Sequence, residues 1–105
     1  RWQKKAVVLT NRRSYSATND FVNTMRQFPN VTTMGDTTGG GSGLPFSSEI
    51  PNGWSIRFSA SPMFDPDMNQ LEFGIEPDVK VNMTSEDMQQ GKDTIIETAI
   101  KKLKN

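Results

Sequence analysis

Apolar and polar residues follow a strand–helix–strand pattern in the first third of the chain. Ala6-Val7-Val8-Leu9 is a continuous apolar run containing β-branched residues, and it predicts a strand over residues 6–10 that is buried on both faces. Residues 31–34, Val-Thr-Thr-Met, predict a second strand. With a helix between these strands, residues 6–34 are expected to form a βαβ unit with a right-handed crossover.

The helix of this unit is predicted from residue 17 to about residue 28. Its apolar residues recur three and four positions apart, and Pro29 ends it because proline cannot continue the hydrogen-bond ladder. This spacing directs one face toward the sheet and the other toward solvent. The expected apolar face comprises Phe21, Val22, Met25 and Phe28, and the expected polar face comprises Asn19, Asp20, Asn23 and Arg26.

Later in the chain the periodicity shortens to that of strands. Residues 46–50 and 54–60 flank Asn52-Gly53, a dipeptide typical of hairpin turns. Apolar and polar residues alternate after this turn, so one face of the hairpin is expected to lie in the core. Residues 71–75 alternate in the same way and predict another strand. A final amphipathic helix is capped by Asp93, and its apolar stripe comprises Ile95, Ile96, Ala99, Ile100 and Leu103.

Five glycines occur among the nine residues 35–43. Two interpretations of this segment stay open: a flexible surface loop, or a backbone that must approach a ligand closely or adopt positive φ. It is not a phosphate-binding loop, because the terminal Lys-Ser/Thr pair is missing and Leu44-Pro45-Phe46 does not begin a helix.

Composition limits the possible functions. The chain has 105 residues, a single small domain or a piece of a larger one, and its start at Arg1 is expected to reflect an excised fragment. Twelve basic and twelve acidic side chains balance without a basic block, so no nucleic-acid partner is expected. No run approaches the roughly 18 apolar residues of a membrane helix, so no membrane span is expected. The sequence contains neither cysteine nor histidine, so an imidazole base would have to come from outside these residues.

One acidic segment has the spacing of a calcium loop. Asp65, Asp67 and Asn69 would supply early ligands, and Glu76 occupies the twelfth position. The sixth position is Gln70, although the sharp turn of such a loop requires glycine, and the flanks predict strands in place of helices. The calcium interpretation is therefore rejected, and neither a metal nor another cofactor is expected.

Ser16 lies in the polar turn between the first strand and the helix. A serine at a helix start is usually a cap that accepts hydrogen bonds from free N–H groups. The alternative is a hydroxyl presented to a substrate, since the same N–H groups stabilise a developing oxyanion. Ser14 and Thr18, its neighbours, are assigned to turn and capping roles.

Four stretches, in order, resemble one family of serine peptidases. Residues 7–11 (VVLTN) and 14–17 (SYSA) resemble the segment around its nucleophile, and residues 35–41 (GDTTGGG) are similar to its glycine loop. Residues 74–81 (GIEPDVKV) look like a strand of the family, and residues 91–93 with the final helix resemble its usual ending. The family is that of the C-terminal-processing, or tail-specific, serine peptidases and their tricorn-like relatives.

The resemblance implies a fold and a domain organisation. The fold class would be α/β (α+β), a crotonase/ClpP-like core fragment with a βαβ unit, a β-hairpin and a C-terminal helix. Residues 1–105 would form a single domain, the C-terminal portion of a peptidase catalytic domain whose upstream part is absent. Relatives of this kind in bacteria are commonly exported, so a periplasmic or cell-envelope location is expected.

The resemblance also implies a set of site residues. Ser16 would be the catalytic nucleophile, and the backbone N–H of Ala17 would donate to the oxyanion. Gly39, Gly40 and Gly41 would belong to a substrate-binding loop.

One departure from the family pattern concerns the general base. In the tail-specific branch a lysine aligned with Gly41 serves as base, and the glycine loop here contains no lysine. The tricorn-like branch uses a histidine upstream of the nucleophile, helped by a further Ser and a Glu. Glu72 is then the first candidate for the orienting carboxylate and Glu76 the second, although either could equally be an exposed strand residue.

Three functional hypotheses remain open. The first is a serine endopeptidase fragment that acts on a polypeptide substrate and is inactive alone, because a missing N-terminal part supplies its His or Lys. The second is a non-catalytic relative that binds a peptide or another ligand. The third is an assembly subdomain that forms a homodimer through the face its missing half would cover.

Overall fold

The computed structural model describes residues 2–105. Helices and strands both contribute, which confirms the α/β class expected from the sequence. In chain order the elements are β1 (Ala6–Thr10), α1 (Ala17–Met25), β2 (Val31–Gly35), β3 (Pro45–Glu49), β4 (Ser55–Ser59), β5 (Val79–Lys80), α2 (Ser85–Gln89) and α3 (Thr94–Lys104).

A small parallel sheet forms the base of the described chain. β1 and β2 pair in parallel from Ala6 opposite Val31 to Thr10 opposite Gly35, with α1 as the connection, so the predicted βαβ unit is confirmed. β5 pairs in parallel with the other edge of β2, which gives the strand order β1-β2-β5. β5 lies within the strand that the resemblance placed in residues 74–81. The carboxyl ends of β1 and β2 therefore lie side by side, and the Ser16 turn and the glycine loop leave from them.

The strand β1 is less buried than predicted. Ala6, Val7 and Val8 are half-buried and Leu9 is exposed, so the expectation of burial on both faces is wrong for this part of the chain. Within residues 2–105 the helices α1 and α3 contact β1, and they cover its faces only in part.

The core is small and lies beneath α1. Val22 of α1 packs with Leu71 and Ile75, and the partly buried Val8 and Met63 extend this cluster. Burial of such side chains stabilises the fold by about 1.5–3 kcal/mol each. The cluster therefore fixes α1 against the segment that carries Leu71 and Ile75.

Three expectations for the first helix are wrong: the places of two side chains and the residue at which the helix ends. Asn19, placed on the solvent face by its polarity, has no exposed surface, and Phe21, placed on the core face, is exposed. The regular helix ends at Met25, because Gln27 and Phe28 donate three residues back, to Thr24 and Met25, in a tighter turn. The helix is thus rotated so that its first turn buries a polar side chain.

The strand predicted over residues 71–75 does not form. Leu71 and Ile75 are buried, but Phe73 between them is 76% exposed, which is incompatible with one shared strand face. The carbonyl of Leu71 accepts from the N–H of Gly74 at 3.2 Å in a turn, and Gly74 has φ +99°. The backbone of this segment bonds to the glycine loop, which takes the place of a neighbouring strand.

The hairpin is confirmed, but its predicted core face is not. β3 and β4 pair from Pro45 opposite Ser59 to Glu49 opposite Ser55, and Gly53 in the turn has φ +82°. Every residue of both strands is exposed, and Trp54 is 71% exposed. Alternation therefore identified the strands correctly, while the described chain provides nothing to cover their apolar face.

Each of the two C-terminal helices is capped at its N-terminus by a side chain. The Asp93 carboxylate accepts from the N–H groups of Ile95 and Ile96 at 2.9 Å, which confirms Asp93 as the cap of α3. The predicted stripe is only partly covered: Ala99 is buried, whereas Ile96, Ile100 and Leu103 are exposed. The short α2 had no counterpart in the sequence prediction, and Thr84 caps it by accepting from Asp87 N at 3.1 Å.

Candidate active site

Ser16 occupies an unusual backbone position at the start of α1. Its φ of 58° and ψ of −123° lie in a region that residues other than glycine rarely adopt, and this conformation costs about 1–3 kcal/mol. Its hydroxyl makes no capping hydrogen bond to α1, so the cap interpretation is wrong. Among residues 2–105 the Oγ of this exposed serine has no hydrogen-bond partner, and it lies beside a helix N-terminus.

The first N–H group of α1 is also free. Within residues 2–105 the backbone N–H of Ala17 has no hydrogen-bond acceptor, as expected for the first position of a helix. Such a group carries part of the positive end of the helix dipole. A free hydroxyl and a free donor therefore lie on adjacent residues.

The glycine loop is fixed against the Ser16 turn. The N–H of Ser16 donates to the carbonyl of Gly40 at 2.8 Å, and the N–H of Gly39 donates to the carbonyl of Ser14 at 2.9 Å. On its other side, the N–H of Gly41 donates to the carbonyl of Glu72 at 2.9 Å. These bonds rule out the flexible-loop interpretation. They fix the Ser16 turn to the glycine loop, and the glycine loop to the segment that carries Glu72.

Gly40 and Gly41 cannot be replaced without movement of the chain. Both have positive φ, +76° and +74°. A Cβ at Gly40 would overlap the carbonyl oxygen of Glu72, and a Cβ at Gly41 would overlap the ring of Tyr15. The interpretation that the glycine loop needs positive φ is therefore correct. The close contacts that require glycine are to other residues of this chain, Glu72 and Tyr15.

A buried polar network behind Ser16 went unrecognised in the sequence. Asn19 Nδ2 donates to Ser42 Oγ at 2.7 Å and to the Leu71 carbonyl at 2.9 Å. Its Oδ1 accepts from Thr38 Oγ1 at 2.5 Å, and Ser42 Oγ donates in turn to Asp20. Asn19, Thr38 and Ser42 are buried. The sequence offers one signal for this network, the polar residue Asn19 next to an apolar run. Polarity alone, however, predicts a residue on the solvent face of the helix.

The Ser16 turn opens onto a cleft of about 480 Å³ between the turn, the glycine loop and the hairpin. Glu72, the first candidate carboxylate, lines this cleft together with Ser16, and Ser59 Oγ donates to its Oε1 at 3.2 Å. The lining also includes Tyr15, Gly41, Pro45, Arg57, Phe58 and Ser59. The structure thus brings Ser16, Gly41 and Glu72 to one cleft, while Gly39 and Gly40 lie behind it in the loop.

Glu76, the second candidate carboxylate, does not line the cleft of Ser16. Its Oε1 accepts from Thr37 Oγ1 at 2.6 Å, and its Oε2 lies 3.3 Å from Lys80 Nζ. The Thr37 hydroxyl and then Lys80 lower the pKa of Glu76 by stabilising its charged form. Its partners tie β5 to the residues after β2, which is a structural role.

The described part of the chain has neither an acidic metal-binding cluster nor a helix that could span a membrane. Residues 2–105 contain no group of three or more acidic side chains placed to hold a metal ion. None of the described helices has the length and apolar character needed to cross a bilayer.

A family comparison agrees with this geometry. The sequence model of Peptidase family S41 matches residues 1–81, which include the first strand, the Ser16 turn, the glycine loop and β5. The chain belongs to peptidase family S41. The resemblance drawn from four short motifs is therefore confirmed at the level of the family. No curated protein matches the chain.

Solved structures of other proteins share the fold of this S41 chain. A Parabacteroides merdae protein, named only as a candidate peptidase, is 65% identical, with a TM-score of 0.95 over 98% of this chain and 33% of that chain. Mature CPAF in complex with lactacystin is 19% identical, with a TM-score of 0.74 over 90% of this chain and 19% of that chain. The tricorn protease is 22% identical, with a TM-score of 0.76 over 96% of this chain and 11% of that chain.

These neighbours differ in what they show for the S41 chain. At 19% and 22% identity, CPAF and the tricorn protease support the fold alone. This chain spans about a third of the length of the Parabacteroides merdae protein and less of the other two. It is therefore peptidase-related by family, and the activity of the whole protein is a matter for proposal.

Proposed function

We propose that Ser16 is the nucleophile of a serine peptidase and that these residues form the nucleophile-bearing part of its catalytic domain. The observation that carries this proposal is the backbone of Ser16, held at φ 58° and ψ −123° with its hydroxyl unused by the helix. Strain of this kind persists where the surrounding structure enforces it, and it clusters at active sites. The S41 family match and the cleft beside Ser16 add support.

The reaction is acyl transfer followed by hydrolysis. Ser16 Oγ loses its proton to a base and bonds to the carbonyl carbon of the substrate, and the oxyanion receives a hydrogen bond from Ala17 N–H. The C–N bond then breaks, and the amine leaves with a proton from the base. Water adds to the resulting ester in the same manner, which releases the acid and returns the proton to Oγ.

The general base of this reaction comes from residues outside these 105. The sequence contains no histidine, and glycine occupies position 41, where the resemblance to the tail-specific branch would require lysine. A histidine supplied by another part of the protein, as in the tricorn-like branch, fits both facts. We therefore expect the 105-residue chain alone to hydrolyse no peptide.

Glu72 is the proposed orienting carboxylate for that base. It lines the cleft with Ser16, and two contacts fix its position: its carbonyl accepts from Gly41 N–H and its carboxylate accepts from Ser59 Oγ. A carboxylate beside an imidazole selects its tautomer and stabilises its charged form. Glu76 is not proposed for this role, because Thr37 and Lys80 already engage it outside the cleft.

Labelling by a fluorophosphonate probe tests the proposal in the full-length protein, because such probes react with activated serines. We expect wild type to be labelled, and Ser16→Ala to abolish both labelling and peptide hydrolysis. Ser14→Ala is the matched control, since Ser14 Oγ only accepts from Asn11 N at 3.2 Å within the same turn. Labelling and turnover that survive in Ser16→Ala would overturn the proposal.

A further inference from the structure

Among the described residues that line the cleft beside Ser16, one side chain is cationic, Arg57 of β4. Arg57 pairs with Ser47 across the hairpin, on the face that also carries Pro45 and Ser59. Pro45, Arg57 and Ser59 all line the cleft. Arg57 therefore lies at the cleft that the candidate nucleophile Ser16 also lines.

Arg57 has no ionic partner within the described chain. The ion pairs among residues 2–105 join Arg12 and Lys80 to Asp36 and Lys80 to Glu76, and no carboxylate lies within 4.0 Å of the Arg57 guanidinium. Glu72 shares the cleft but receives its hydrogen bond from Ser59. Glu49, which shares the face of Arg57 on β3, does not pair with it either. The charge of Arg57 is thus available to a molecule that enters the cleft.

A guanidinium is always charged near neutral pH and presents donors in a planar fork that fits a carboxylate. We propose that Arg57 selects substrates that carry a carboxylate, by pairing with it while the scissile bond lies at Ser16. This inference rests on the proposed function of Ser16. The carboxylate comes either from an acidic side chain near the scissile bond or from the free C-terminus of the substrate.

Matched substrate pairs test this selection in the full-length protein. The probes are internally quenched hexapeptides in which each position in turn is Asp or Asn, and each peptide carries either a free or an amidated C-terminus. We expect wild type to favour the carboxylate member of one pair by about 10-fold or more in kcat/KM, because an ionic hydrogen bond is lost in the other member. The position of the favoured pair, internal or terminal, identifies the source of the carboxylate.

Substitution of Arg57 gives the second half of the test. Arg57→Gln is expected to bring the Asp/Asn or free/amidated ratio close to 1, because kcat/KM should fall more for the carboxylate member of the pair than for the neutral member. Arg57→Lys retains the charge without the fork and should give an intermediate ratio. Arg26→Gln makes the same chemical change outside the cleft, at the C-cap of α1, and should keep the wild-type ratio.

Two results would overturn the role of Arg57. One is a wild-type enzyme without preference in either set of pairs, and the other is an equal loss for charged and neutral substrates in Arg57→Gln. Binding of the same peptides to Ser16→Ala, followed by fluorescence anisotropy, separates this inference from the proposed function. If Ser16 proves unreactive, a carboxylate preference in binding that Arg57→Gln removes still supports Arg57, and its absence refutes Arg57.

Discussion

Two asparagines one turn apart on α1 show how the environment decides the role of a side chain. Asn19 is buried, and its amide joins α1 to Ser42 of the glycine loop and to the carbonyl of Leu71. Asn23 has a buried Oδ1 without a hydrogen-bond partner among the described residues. The first amide therefore links three segments around the candidate nucleophile, and the second links none.

The asparagine pair supports a stability prediction at the residue scale. Asn19→Ala leaves the partners of Asn19 unsatisfied in the interior and should lower the free energy of unfolding by about 2–3 kcal/mol. Asn23→Ala removes an oxygen that is already unsatisfied and should change it by less than about 1 kcal/mol. Urea denaturation of the two variants beside wild type measures the difference. Equal losses would show that the network contributes no stability.

At the scale of elements, hydrogen bonds connect helices that share few apolar contacts. The link between α2 and α3 is an example: Thr94 Oγ1 accepts from Thr84 N at 3.0 Å and donates to Asp87 Oδ2 at 2.7 Å. The Thr94 hydroxyl is the main cause of a lowered pKa for Asp87. The charged form of Asp87 is therefore the one that holds the two helices together.

This link makes a pH-dependent contribution to stability. A carboxyl whose pKa is lower in the folded than in the unfolded state stabilises the fold at pH values above its unfolded pKa, about 3.9. That contribution is lost as the pH falls through the folded pKa. The stability difference between wild type and Asp87→Asn should thus be constant from about pH 6 to 8 and shrink below about pH 4.

Denaturation midpoints across this pH range check the prediction for Asp87. Glu86→Gln is the matched control, because the Glu86 side chain has no hydrogen-bond partner within residues 2–105. A difference between wild type and Asp87→Asn that stays the same at pH 3 and pH 7 would contradict the proposed link.

The elements that local pattern determines were predictable from the sequence. The βαβ unit follows from apolar runs on either side of a helical period, the hairpin follows from Asn52-Gly53, and the α3 cap follows from Asp93. Residues 71–75 alternate as a strand does but form none, and alternation cannot show that their backbone bonds go to residues 38–41. The burial of Asn19 likewise depends on distant hydrogen-bond partners, Thr38, Ser42 and Leu71, so no local pattern could predict it.

The candidate site was predictable in its residue types but not in its geometry. The motifs around Ser16 and the glycine loop located the turn, and the resemblance drew attention to Glu72. The positive φ of Ser16 and the place of Arg57 in the cleft depend on how the turn, the loop and the hairpin meet. That meeting requires contacts between segments about 25 to 55 residues apart in the sequence, which no short motif encodes.

At the scale of the whole molecule, the described chain is elongated and leaves much apolar surface exposed. Its radius of gyration is 17.2 Å, whereas a compact domain of this length would have about 13 Å. Large apolar side chains stand exposed on the hairpin and at the sheet edge, among them Leu9, Phe46, Trp54, Ile56 and Phe58. Surfaces of this kind are normally covered by another part of the protein or by a second copy.

The exposed surface leads to a prediction about the 105-residue chain alone. We expect sedimentation velocity at micromolar concentration to show species larger than a monomer, because association would cover the apolar face of the hairpin. The double variant Trp54→Ser and Phe58→Ser should move the population toward monomer. A wild-type chain that sediments as a single monomeric species would refute this prediction.

Ser16 Oγ is the proposed nucleophile of this protein, and mapping the site of a covalent adduct tests that role most directly. The full-length protein is treated with a fluorophosphonate and digested with trypsin, and the peptide of residues 14–26, which holds both Ser14 and Ser16, is sequenced by mass spectrometry. We predict a single adduct on Ser16. An adduct on another residue, or peptide hydrolysis without any adduct on Ser16, would contradict the role of Ser16 as nucleophile.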